Sequence, residues 1–256
     1  MTSSSRVSLE AAWILHHYPY RDSSLLLEVF TREHGRIGLV ARGARSARGR
    51  LRNQLQILRP LLLSWSLRGE LGTLTGAEPR GVLEALPGRQ ILYACYLNEL
   101  LLRLLTRHDP HPGLYDAYEE ALVSLPASGE QALRIFEKRL LQELGYGLLL
   151  DQEADTGDAL APDAVYEYQL ERGPVRCTGV RENGLLLRGT SLLALYNDDL
   201  GDPQARHEVK FLMRAALGRY LGPKPLRTRE VLRQLTQLSS CGQAQPPGVT
   251  ETHNAG

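Results

Sequence analysis

Cysteine is scarce in this chain. The three present, Cys95, Cys177 and Cys241, lie far apart and none belongs to a Cys-x-x-Cys pair. That excludes a disulfide framework and a zinc ribbon, and the thiols are expected to stay reduced in a cytosolic setting. Long apolar runs are missing too. Residues 1–6 lead into no stretch of signal-peptide length, and nothing later approaches a membrane span, so a protein without membrane contact is expected. Signatures of enzymatic chemistry are also absent. There is no G-x-x-x-x-G-K-[S/T] loop, no G-x-G-x-x-G, no G-x-S-x-G elbow and no H-E-x-x-H. Carboxylate neighbours such as Glu119–Glu120 and Asp198–Asp199 read as solvated faces, because geometry rather than adjacency makes a general acid. A non-enzymatic protein without cofactor or metal is the expectation.

What the chain has is arginine, unevenly placed. Residues 1–60 hold ten arginines, no lysine and four acids, a charge of +6 within a total of +1, which leaves −5 for the remainder. The density peaks over residues 42–52, where Arg42, Arg45, Arg48, Arg50 and Arg52 alternate with small residues and no acid intervenes. As a strand this stretch puts Arg48, Arg50 and Arg52 on one face; as a helix, Arg45, Arg48 and Arg52. Planar, permanently charged forks match phosphate oxygens, so the comb points to nucleic acid. The plainer alternative is a solvated loop whose charge keeps the chain soluble.

Period separates the chain into two parts. Short β-branched and aromatic runs at Val7–His17, Leu25–Thr31, Arg36–Ala41, Leu55–Leu67 and Leu71–Thr75 read as five strands. With one long basic loop between the third and fourth, they suggest a small closed barrel of the oligonucleotide-binding type over residues 1–80. Tyr18, Tyr20, Phe30 and Trp65 lie in it. Core packing suits Phe30, whereas Tyr18 and Tyr20, flanking Pro19 in a turn, could stack on bases.

From residue 81 to 238 a helical period takes over. Ile91–Arg107, Leu114–Leu125 and Glu130–Leu144 are expected helices, followed by a hairpin near Val165–Val180 and a short helix capped by Ser191. Asp202-Pro203 opens a late helix running to Leu221, and Arg229–Leu238 forms the last. Asn98 and Glu99, inside an apolar helix, predict an internal hydrogen bond or an ion pair with an arginine. Residues 239–256 are polar and expected to be disordered. The fold class is therefore α+β: a five-stranded barrel, then a mainly helical part with a small hairpin.

Several stretches taken in order resemble the bacterial recombination protein RecO family: Leu27-Glu28-Val29-Phe30-Thr31, Gly35-Arg36-Ile37-Gly38-Leu39-Val40-Ala41-Arg42-Gly43-Ala44-Arg45, Leu97-Asn98-Glu99-Leu100-Leu101, Leu144-Gly145-Tyr146-Gly147 and Tyr220-Leu221-Gly222-Pro223-Lys224-Pro225-Leu226-Arg227-Thr228-Arg229-Glu230. The resemblance implies a protein that binds single- and double-stranded DNA and anneals complementary strands. It also implies recognition of the acidic, hydrophobic tail of single-stranded DNA-binding protein, and work with RecR to load RecA without nucleotide hydrolysis. Some family members carry a four-cysteine zinc site near the hairpin; only Cys177 stands there in this chain, so no metal is expected. A cytoplasmic, nucleoid-associated protein that is monomeric by itself follows.

For DNA contact the expected residues are Arg42, Arg45, Arg48, Arg50 and Arg52, with Arg36 supporting them. The resemblance adds Lys224, Arg227 and Arg229, whose alternative is surface charge or a salt bridge at a helix start. For the tail, an apolar pocket with a cation is required; Arg134 and Arg139 around Phe136, with Arg103 or Arg107, are the candidates. Two other classes compete: an adaptor whose basic loop meets an acidic protein, and a nuclease or transferase with an unrecognised site.

Overall fold

The computed structural model describes residues 5–46, 51, 53–177 and 185–241. Strands β1 (Ser5–Tyr20), β2 (Ser24–Thr31), β3 (Gly35–Ala41), β4 (Pro60–Arg68) and β5 (Leu71–Pro79) close into a barrel in the order β1-β2-β3-β5-β4. All neighbours are antiparallel except β3 and β5. Closure leaves no open edge to be matched by another chain. The 16-residue β1 reaches both β2 and β4 because its register shifts twice, between Val7 and Glu10 and between Ile14 and His16. Such bulges bend a strand far enough to serve both sides of a small barrel.

Four consecutive residues of β1, Ala12 to Leu15, are buried, which a strand with one wet face does not allow. Alternation explains it. Ala12 and Ile14 point inward with Leu27, Val29, Leu39 and Trp65, while Trp13 and Leu15 point outward with Phe30 into a second core beneath the helices. Phe30 and Trp65 are both core residues, one on each side of the sheet.

The second core belongs to helices α1 (Arg89–Leu104), α2 (Pro112–Ser128) and α3 (Glu130–Glu143), a small sheet, and helices α4 (Gly189–Tyr196), α5 (Pro203–Gly218) and α6 (Arg227–Cys241). Trp13 meets the Tyr118 ring edge-on at 5.7 Å, and Phe30 lies 5.5 Å from Tyr115. Asn98 anchors α1 to the barrel by donating to Leu15 O at 3.0 Å while accepting from the Tyr118 hydroxyl. The internal hydrogen bond expected of Asn98 is thus present.

Three local expectations need correction. The expected hairpin, β6 (Val165–Gln169) with β7 (Gly173–Arg176), is present but gains a third strand: β8 (Leu186–Arg188) pairs with the other side of β6, giving a sheet in the order β7-β6-β8. Residues 178–184, where Asn183-Gly184 reads as a turn in the sequence, lie outside the described residues. Ser191 caps nothing: α4 starts at Gly189, and Ser191 is buried inside it. Helix α6 continues to Cys241, into the segment expected to be irregular, and residues 242–256 lie outside the described residues. Asp202 behaves as expected, accepting from Ala205 N at 2.7 Å to cap α5.

Candidate nucleic-acid interface and partner pocket

Arg42 and Arg45 emerge from the end of β3 with both side chains exposed. Gly43, at φ +65°, turns the chain between them in the left-handed region where glycine carries no steric cost. Ala44 is buried and pegs the turn to the barrel core. Arg45 N donates to Ser23 O at 2.8 Å, and its guanidinium reaches Arg21 O. The start of the basic loop therefore leans on the β1–β2 turn and is held there. Arg48, Arg50 and Arg52 lie outside the described residues.

Arg36 does not join them. Its guanidinium donates to Glu28 at 2.9 Å and to the carbonyls of Leu102 and Leu105 at 2.7 and 2.9 Å. The last two are orphan carbonyls at the end of α1, which a cation there satisfies and whose dipole it complements. Arg107 pairs with the other Glu28 oxygen, so a buried carboxylate binds one arginine from the barrel and one from the segment after α1. Both arginines are joints between barrel and helices, which removes Arg36 from the DNA set and Arg107 from the tail set. Arg103 is also internal, donating to Leu221 O and to Lys224 O at 2.8 Å and so holding the approach to α6.

A cavity of about 500 Å³ opens among α1, α3, α5 and α6. Arg134 from α3 and Arg229 from α6 line it, two residues expected at different sites. One buried network sets both. Glu137, fully buried, pairs with Arg134 at 2.9 Å and accepts from the Tyr96 hydroxyl, which in turn accepts from Arg229 at 2.9 Å. Arg229 also lies over the Tyr96 ring, 5.4 Å from its centroid. Burial first, and then the charge of Glu137, pushes the Tyr96 hydroxyl well above its usual range, so it remains a donor. Arg134 is buried, held in place by Glu137.

Around this pair stand Arg89, Lys210, Arg214 and Arg233, opposed by Glu130 and Glu230. Lys210 and Glu130 pair at 3.1 Å. Tyr93, Leu133, Pro225 and Leu226 supply an apolar wall. A cavity lined by both cations and apolar side chains suits an anion with a hydrophobic body. The legible signal for the residues that sequence reasoning missed was the spacing of Lys210 with Arg214 and Arg229 with Arg233, like charges at i,i+4 that repel unless an anion is shared.

The remaining candidates fall elsewhere. Phe136 is buried against Tyr118, so it shapes the core and not the cavity. Arg139 pairs with Glu120 and Asp198 outside it. Lys224 and Arg227 are exposed at the approach to α6. The first turn of α6 is capped from another helix: Glu99 accepts from Arg227 N, Thr228 N and the Thr228 hydroxyl. Of the two alternatives expected for Glu99, the hydrogen bond is the one formed, and its donors belong to a helix start. Burial raises the Glu99 pKa, but those bonds and the charge of Arg103 outweigh it and hold the carboxyl below its usual value.

Comparison with known proteins settles the family. The profile described as Recombination protein O N terminal matches residues 7–82, and that described as Recombination protein O C terminal matches residues 88–230. The DNA repair protein RecO of Nitrosococcus oceani is 47% identical over 237 residues, covering 92% of this chain and 96% of that protein. The proteins of the same name from Alkalilimnicola ehrlichii and Thiobacillus denitrificans are 48% and 46% identical, covering 92% and 93% of this chain and 94% and 96% of theirs. The chain belongs to the RecO family.

It is accordingly a DNA repair and recombination protein. The RecO N-terminal match falls on the closed barrel and the RecO C-terminal match on the helices that carry the cavity. Among the described residues no helix is long and apolar enough to cross a membrane, and no three His, Cys, Asp or Glu side chains gather to hold a metal ion.

Proposed function

We propose that this chain is a recombination mediator that anneals complementary single strands and recognises the acidic, hydrophobic tail of single-stranded DNA-binding protein. With RecR it promotes RecA loading, and no step hydrolyses a nucleotide. It binds both single- and double-stranded DNA in the cytoplasm, at the nucleoid. The barrel of residues 1–80 acts as the DNA-binding unit and residues 81–238 as the partner-binding unit. One observation supports the partner half of the reading: Arg134 pairs with the one buried carboxylate, Glu137, while Arg229 meets the Tyr96 hydroxyl instead, so positive charge is in surplus among apolar lining residues.

Annealing needs no catalytic residue. Two polyanions must be brought close with their bases free, and Arg42, Arg45, Arg48, Arg50 and Arg52 would do this by replacing counterions along the backbone. Arg227 and Lys224 add charge at the helical side. The test is annealing of complementary strands coated with single-stranded DNA-binding protein, in rising salt and without ATP. Acceleration that fades with salt, and that drops when the coating protein lacks its acidic tail, is expected. Arg134→Ala should weaken binding of the isolated tail peptide about tenfold or more, the worth of a charged hydrogen bond. Wild-type peptide affinity in that variant would remove the cavity from the mechanism.

A further inference from the structure

The end of β1 carries a row of rings that the basic loop does not account for. His16, Tyr18 and Tyr20 are spaced two apart, so they fall on one face of the strand. His16 and Tyr18 meet edge-on with centroids 4.4 Å apart. Tyr18 is 45% exposed, so beyond its contact with His16 much of the residue stays open to solvent. The Arg21 guanidinium lies over the Tyr20 ring, 5.3 Å from its centroid. Arg21 itself sits at φ +51°, a left-handed conformation unfavourable for a side chain of this size, and the Arg45 contacts to Arg21 O and Ser23 O brace it.

Both ends of this row are cationic. At the turn stand Arg21, Arg42 and Arg45; toward the other end Arg227 opens α6, its amide held by Glu99, the neighbour of the Asn98 that donates to Leu15 O next to His16. Burial, then His17 and Arg227, lower the His16 pKa against the opposing pull of Glu28, so the ring stays neutral near pH 7 and offers a face rather than a charge. His16 to Tyr20 spans about 13 Å at ~3.3 Å per residue. That is room for a short run of stacked nucleotides between two phosphate anchors. Unpaired bases are recognised in this way, by flat rings to stack on with cations placed for the phosphates.

We infer that the face of β1 formed by His16, Tyr18 and Tyr20 is a stacking track for single-stranded nucleic acid, joining the arginines of the barrel turn to Arg227 on α6. The strand's bases rest on the rings while its phosphates meet Arg45 and Arg21 at one end and Arg227 at the other. The inference rests on the DNA-binding reading above and specifies where an unpaired strand runs. It also gives the barrel and the helical part a shared ligand, which explains why Arg227 belongs with the barrel arginines while Arg229, two residues on, turns into the cavity.

The test uses the full chain, a single-stranded oligonucleotide carrying 2-aminopurine, and a blunt duplex of the same length. Tyr18→Ala should weaken single-strand binding about tenfold and relieve part of the fluorescence quenching, with duplex affinity and the salt slope unchanged. Tyr18→Trp should restore both affinity and quenching. Arg227→Ala should reduce the salt slope for the single strand by about 0.7. If wild type binds the single strand and neither Tyr18→Ala nor Arg227→Ala changes affinity, quenching or slope, the track is wrong and the DNA-binding reading stands. Equal weakening of single strand and duplex by Tyr18→Ala would also overturn it, since stacking on free bases cannot act on a duplex. No single-strand binding by wild type would instead sink the DNA-binding reading itself.

Discussion

Glu28 joins the two halves of the molecule, so its replacement by glutamine is the perturbation with the most calculable result. The carboxylate is 4% exposed and binds Arg36 from β3 and Arg107 from the segment after α1. An amide of the same shape keeps the volume and removes the charge. Breaking a buried pair by neutralising one partner costs roughly 3–5 kcal/mol, because the other charge is left without compensation. Two features reduce that here. Arg36 keeps the Leu102 and Leu105 carbonyls, and the Arg107 side chain, 32% exposed, can turn toward water. About 2–3 kcal/mol of destabilisation is therefore expected. Urea unfolding followed by tryptophan fluorescence reads it directly, since Trp65 reports the barrel core and Trp13 the contact with the helices. In a double-mutant cycle with Arg107→Met, a coupling of about 1–2 kcal/mol should appear. A Glu28→Gln loss below about 1 kcal/mol, or no coupling, would show that the joint is held by Trp13, Leu15 and Phe30 alone.

Two further outcomes follow from single contacts. Glu99 is held below its ordinary value of 4.5, so its contribution is present above that value and is lost as pH falls through the lower folded one. Protection of the Arg227 and Thr228 amides against hydrogen exchange, relative to the intrinsic rate at each pH, should fall in acid below that value, while Glu99→Gln should show low protection already at neutral pH; equal protection in both proteins would refute the cap. Gly35 sits at φ +65°, and a Cβ there would lie 2.0 Å from Asp109 O. Gly35→Ala should cost roughly 3 kcal/mol or more, from the left-handed backbone and the displaced segment together, measured as a loss of denaturation midpoint. A near-neutral midpoint would mean that the 107–110 segment does not press on the barrel.

The sequence by itself determined the order and type of the elements apart from β8. Alternation of period 2 and then 3.6 is a local property, so five strands, the helices and the Asp202 cap were legible without a partner in view. It also showed where positive charge concentrates, because charge is carried by residue type. Which arginines are available to a ligand was decided only by tertiary structure. Arg36 and Arg45 look alike along the chain, yet one meets a buried carboxylate and helix carbonyls contributed by residues 66 and 69 positions away, and the other meets solvent. Arg134 and Arg229, 95 positions apart, become neighbours because Tyr96 and Glu137 bridge them. Burial and pairing depend on what the fold brings within a few ångströms, and no periodicity encodes that. The same holds for β1: its rings are written in the sequence, but the helix start that carries Arg227 is tied to the barrel through Asn98 and Glu99 of α1.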